Sequence, residues 1–193
     1  IIHRDLKPSN VMLVRAKDEA DQVKVLDFGV AKFLRASSGD VELTQADSAV
    51  GTPRYMAPEQ LGRSAEVDFR ADIYALGGVL YAMLSGGKPP IEGDTLEELA
   101  HRKRSDLPRP IDAYRSDLPP RLESLIMRCL GRLPNERPAS MELVRKDLVA
   151  IFETARAAGS SVFGMKGPSE TAKVPARTVS NRYLVGAAAL GLG

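Results

Sequence analysis

A chain of 193 residues with 44% hydrophobic and 27% charged positions has ordinary globular composition, which excludes wholesale disorder and leaves room for one domain plus a tail. Its 27 basic and 25 acidic residues nearly cancel, so the charge does not point to a nucleic-acid partner, and none is expected. The single cysteine, Cys129, excludes an intrachain disulfide and fits a reducing compartment.

In chain order, residues 11–14 and 23–26 are short apolar, β-branched runs around a polar stretch, and read as a β-hairpin with a rather long loop at 15–22. Residues 31–49 turn small and polar and read as a long exposed loop. Four helical patterns follow. Residues 71–84 are almost wholly apolar around one acid, Asp72, which describes a buried helix. Residues 94–104 open with Asp94 and Glu97, the spacing of a capping box with Asp94 as the cap. Leu122, Leu125, Ile126, Cys129 and Leu130 recur at helical spacing, as do Met141, Val144, Leu148, Ile151 and Phe152. Pro119, Pro120, Pro134 and Pro138 mark boundaries, and there is no internal repeat. The expected organisation is one domain over 1–154, a linker over 155–182 and a terminal apolar run over 183–193.

The chemistry-bearing stretch is His3-Arg4-Asp5-Leu6-Lys7-Pro8-Ser9-Asn10. Phosphoryl transfer to a hydroxyl needs a carboxylate to orient the hydroxyl and take its proton, and cations to neutralise charge on the moving group. Asp5 can be that carboxylate, Lys7 can supply a positive charge, and Asn10 offers an oxygen ligand to Mg²⁺. Asp27-Phe28-Gly29 ends the hairpin and adds a second oxygen ligand, with Gly29 free to turn the backbone into the long loop. Gly51-Thr52-Pro53-Arg54-Tyr55-Met56-Ala57-Pro58-Glu59 closes that loop.

These three motifs, H-R-D-L-x-x-x-N, D-F-G and A-P-E in that order, resemble the protein kinases. Lys7 and Thr52 bring the resemblance closest to the serine/threonine branch of Hanks type, and the position of Thr44 relative to Gly51-Thr52 resembles that of bacterial membrane-anchored members. It covers about residues 1–154. The fold it implies is mainly α, a kinase C-terminal lobe with a short β-hairpin. No GxGxxG or V-A-I-K-type lysine occurs, so the N-terminal lobe is expected to be absent from the chain and the fragment alone inactive.

Carried over by position, the resemblance makes Asp5 the catalytic base and Lys7 a contact of the γ-phosphate, with Thr52 bonded to both. Asn10 and Asp27 would hold Mg²⁺, and Met12 would pack beneath the adenine of ATP. His3 and Phe28 match residues stacked in a regulatory column, Glu59 and Arg137 a buried ion pair, and Asp72 an acid bonded to the H-R-D backbone. A carboxylate in an apolar helix needs such donors. Arg4 implies a balancing phosphate on the loop, with Thr44 first and Ser48 second as acceptors. Arg54 lies where the residue after a phosphoacceptor would be sensed.

Taken singly, Asp5 would be a surface aspartate, Lys7 a solvated lysine and Met12 core; only the motif set lifts them. His3 reads as a packed structural histidine, and Cys129 as inert core. The implied function is ATP-dependent phosphorylation of protein Ser/Thr hydroxyls, with protein substrates and, for trans-autophosphorylation, a homodimer as partners. The rival readings are a pseudokinase or scaffold, opposed by the intact Asp5, Lys7, Asn10 and Asp27, and a small-molecule phosphotransferase, opposed by the A-P-E segment. Lys166, Lys173, Arg177 and Arg182 precede the apolar run after Tyr183, which reads as a truncated membrane helix in preference to a flexible Ala/Gly tail. The kinase lobe would then face the cytoplasm, anchored in the cell membrane.

Overall fold

The computed structural model describes residues 2–14, 22–27, 53–62 and 67–158. The expected long loop with Thr44 and Ser48, and the terminal segments after residue 158, lie outside them.

Strands β1 (Val11–Val14) and β2 (Gln22–Val25) pair antiparallel, with Val11 opposite Val25 and Leu13 opposite Val23. The second strand begins and ends one residue earlier than its apolar run suggests. A two-stranded ribbon is marginal alone. Here it is tied at its base, where the Leu26 amide donates to the Asn10 carbonyl at 2.8 Å. The ribbon carries exposed Met12, Leu13, Val23 and Val25.

The four helical patterns are four α-helices: α1 (Arg70–Leu84), α2 (Leu96–Ser105), α3 (Pro120–Cys129) and α4 (Met141–Ala157). Helix α1 buries ten of its fifteen residues, as a helix apolar on every side must. It ends at Gly86 and Gly87, both at positive φ, where the Gly87 amide reaches back to the Ala82 carbonyl at 2.7 Å. Helix α3 crosses α1 closely: a Cβ on Gly77 would lie 2.7 Å from the Cys129 Cβ, so only glycine allows this approach.

The cap of α2 is Thr95, not Asp94. Thr95 Oγ1 accepts from the Glu98 amide at 3.1 Å, while Glu98 reaches back to the Asp94 amide at 2.9 Å. Helix α3 starts from Pro119 and Pro120, the latter in the first turn where a missing N–H costs nothing. Ser140 caps α4 through the Leu143 amide. Of the expected α4 stripe, Val144 and Ile151 are buried and Leu148 partly so, whereas Met141 and Phe152 are exposed. The core gathers Ile73, Tyr81, Ile111, Leu122, Ile126 and Val144 between these helices. Cys129 lies within it, its thiol pushed up to about 12 by burial, which makes it unreactive. Among the described residues no helix is long and apolar enough to cross a membrane.

Candidate active site

Two segments without regular structure carry the motif residues, and helix α1 organises both. The first is the loop before β1. Asp72, two residues into α1, accepts from the His3 amide at 2.7 Å and from the Arg4 amide at 2.8 Å, one per carboxylate oxygen. The apolar helix therefore holds its acid against two backbone donors, which answers the cost of burying it. Arg4 sits at φ 64°, a conformation unfavourable for a side chain with a Cβ, and these bonds help to hold it there.

His3 is buried and uses both ring nitrogens. Nδ1 accepts from the Asp5 amide at 3.3 Å, which leaves Nε2 as the donor to the Leu26 carbonyl at 3.1 Å. This side chain thus staples the loop to the end of β2 and has structural work to do.

Asp5, Lys7 and Asn10 come together. Lys7 Nζ lies 3.2 Å from Asp5 Oδ2, with the two side chains 21% and 12% exposed. Asn10 Nδ2 donates to the Asp5 carbonyl at 2.9 Å and approaches Asp5 Oδ2 at 3.4 Å. The 3₁₀ turn Pro8–Asn10 makes this possible by folding Asn10 back, its amide bonded to the Lys7 carbonyl at 3.0 Å. Because the amide nitrogen of Asn10 is committed to Asp5, its carbonyl oxygen is the atom left for a cation. Asp27 follows Leu26, the residue bonded to Asn10, and is exposed at φ 52°. Met12, 48% exposed, lies on β1 two residues past Asn10. Thr52 and Phe28 lie outside the described residues.

The donor set suits Mg²⁺, a hard cation that takes one or two protein oxygens and completes its shell with water and phosphate. Among the described residues no group of three or more His, Cys, Asp or Glu forms an all-protein metal cage.

The second segment is 53–62. Pro53 and Met56 close a turn, and Pro58–Leu61 forms a 3₁₀ turn. Glu59 meets Arg137 through two parallel bonds of 2.7 and 2.8 Å, with side-chain exposures of 8% and 0%. Arg137 spends its other three N–H groups on the carbonyls of Gly131, Arg70 and Arg132, so all five donors are matched.

Three residues escaped the sequence reading. Gln60 takes the Ala57 amide at 2.9 Å and donates to the Arg4 carbonyl at 3.0 Å, linking the A-P-E segment to the Asp5 loop. Lys103 and Tyr74 meet beneath the 53–56 turn, 3.4 Å apart at Nζ and the hydroxyl. A lysine one helical turn beyond Leu99, on an apolar face, was the available signal for the third contact.

The sequence model of the protein kinase domain matches residues 1–149, and the chain belongs to that family. It is 37% identical to the serine/threonine-protein kinase pkn3 of Myxococcus xanthus over 196 aligned positions, 96% of this chain and 36% of that protein. Identity to the Pkn1 kinase of the same organism is 46%, over 81% of this chain and 22% of Pkn1. Identity to the PknB kinase of Mycolicibacterium smegmatis is 38%, over 79% of this chain and 23% of PknB. The chain thus spans between 22% and 36% of the length of these relatives, all serine/threonine-protein kinases.

Proposed function

We propose that the protein transfers the γ-phosphate of ATP to serine or threonine hydroxyls of proteins, with Asp5 as the base. The observation that carries this reading is the cluster of Asp5, Lys7 and Asn10, held by Asp72 and adjoining Asp27 through the bond between Leu26 and Asn10.

Asp5 accepts the hydroxyl proton as the new O–P bond forms and the bond from phosphorus to the ADP oxygen breaks. Lys7, already beside the Asp5 carboxylate, offsets the negative charge gathered there and on the transferring oxygens. Asn10 keeps Asp5 in one orientation through two contacts while presenting its own carbonyl oxygen. Asn10 and Asp27 would hold Mg²⁺, which would screen the phosphate charge. In this reading Thr52 would bond to Asp5 and Lys7, and Met12 would lie under the adenine. The exposed apolar surface of Met12, Leu13, Val23 and Val25 supports a covering lobe from the rest of the protein. The 193 residues alone would then transfer phosphate negligibly. Activation by phosphate on Thr44 or Ser48, pairing of two copies and anchoring through residues 183–193 belong to the same proposal.

The test is transfer of labelled phosphate from ATP to peptides by the full-length protein. Asp5→Asn should lower kcat by about 10²–10⁴-fold, the range of a lost general base, with ATP affinity within about threefold. A kcat unchanged in Asp5→Asn refutes the assignment.

A further inference from the structure

Lys103 is 1% exposed on the inner face of α2, beside Leu99 and Ala100. Its Nζ donates to the carbonyls of Met56 at 2.7 Å and Arg54 at 2.9 Å, and lies 3.4 Å from the Tyr74 hydroxyl and 4.9 Å from the Tyr74 ring centre. Those two carbonyls flank Tyr55 in a turn that has neither helix nor sheet to satisfy them. A leucine or methionine at 103 would fill the space and leave both oxygens buried without a donor. The Tyr74 ring also meets the Arg137 guanidinium, 5.0 Å from the ring centre, which grips Glu59. The 53–61 segment is therefore held at two places, and only the Glu59 end belongs to a motif.

We propose that Lys103 is a positioning residue for the peptide substrate, fixing the main chain of Arg54–Met56 so that this turn presents one defined surface to the residue following the phosphoacceptor. The proposal rests on the kinase reading above and goes beyond it, since no catalytic step needs a donor beneath this turn. Tyr55 supports it from the far side. Its Cδ1 would lie 3.2 Å from a Cβ on Gly78, so the turn is packed against α1 as well as bonded to α2. Burial, and secondarily Arg137, push the Lys103 pKa down to about 7, so ammonium and amine forms coexist near neutrality. Both forms fit the site. The ammonium has three N–H groups for three acceptors, and the amine can donate to both carbonyls while accepting from the Tyr74 hydroxyl. The grip is independent of the charge.

The experiment is steady-state kinetics of the full-length protein on a peptide series varied at the residue after the acceptor. Lys103→Met should raise peptide KM by about tenfold, the scale of one lost hydrogen bond to a buried carbonyl, and flatten the preference at that residue. The KM for ATP should stay within about twofold. Lys103→Gln keeps an N–H₂ donor; it should show a smaller rise of about two- to fivefold, and serves if the Met variant does not fold. Wild-type peptide KM and preference in the variants overturn the proposal. So does a parallel loss in kcat, ATP KM and peptide KM, which marks a purely structural residue. A wild-type protein that transfers no phosphate to any peptide overturns instead the kinase reading.

Discussion

Replacing Asp72 by asparagine changes one atom and should disable the Asp5 loop from a distance. The carboxylate takes two backbone amides, of His3 and Arg4, at 2.7 and 2.8 Å. Asparagine has one acceptor oxygen, so one of those amides must face an N–H₂ group. A bond to a charged acceptor is worth about 1.5–3 kcal/mol, and the surviving bond becomes a neutral one of about 1 kcal/mol. The local loss is then about 2–5 kcal/mol. Arg4, at φ 64°, stores about 1–2 kcal/mol of backbone strain that these bonds oppose. The loss exceeds what is needed to let the loop relax.

Asp5 follows Arg4 directly, and a displacement of about 1 Å at a reacting group can cost about 10²-fold in rate. The expected result for Asp72→Asn in the full-length protein is therefore a kcat about a hundredfold lower at saturating ATP and peptide. Hydrogen exchange at the amides of residues 3 and 4 should accelerate in parallel, while helices α3 and α4 keep their protection. A kcat within about threefold of wild type, with faster exchange at those amides, would break the link between loop order and rate. Unchanged exchange would refute the role of the two hydrogen bonds themselves.

Two further outcomes follow from the buried charges. Arg137→Met should destabilise the protein by about 3–5 kcal/mol in chemical denaturation, because it strands the Glu59 carboxylate. The double variant with Glu59→Met should recover part of that loss but not all, since the carbonyls of Gly131, Arg70 and Arg132 still lack their donor; full recovery refutes this account. The depressed Lys103 sets a pH dependence. Between the folded value of about 7 and an unfolded value near 10.4, the unfolded chain holds a proton that the folded one lacks. Stability relative to Lys103→Met should therefore rise with pH across that window, by about 2 kcal/mol from pH 7 to 9, and level off below about pH 6. Tyr74, pushed up by burial, stays protonated throughout, and the Arg137–Glu59 pair is common to both proteins. Parallel stability curves for the two would show that Lys103 titrates normally.

The sequence singles out Asp5, Lys7 and Asn10 only as members of ordered motifs, whereas other features can be read from a residue type and its surroundings alone. An acid in an apolar run demands donors, and Asp72 has them. A helix apolar on every side must be buried, and α1 is. Where two residue choices satisfy one rule, the pattern cannot choose between them. Asp94–Glu97 and Thr95–Glu98 both have capping-box spacing, and the chain uses the second. Lys103 was hidden between Arg102 and Arg104, where a basic last turn already has a sufficient explanation in the helix dipole. Its partners are main-chain carbonyls 47 and 49 residues away, and backbone acceptors leave no trace in side-chain patterns. Gln60 bonds backbone on both sides as well, and was missed for the same reason.

Helix geometry explains why α1 serves both segments at once. Asp72 and Tyr74 are two residues apart, about 3 Å along the axis but about 200° around it. They therefore face opposite sides of the helix at nearly one level. Asp72 holds the Asp5 loop on one side, while Tyr74 on the other backs Lys103 and Arg137. Gly78, four residues beyond Tyr74 and so on its face, admits Tyr55 of the same turn. Ten of its fifteen residues are buried, and its charged residues, Arg70 and Asp72, are confined to the first turn. The position of α1 sets the spacing between the Asp5 carboxylate, proposed as the base, and the turn proposed to face the peptide. On this geometry, a change in α1 that rotates it by even a fraction of a turn must misplace both segments together, so substitutions in the helix body should lower kcat and raise peptide KM jointly. Substitutions in either segment alone should separate the two.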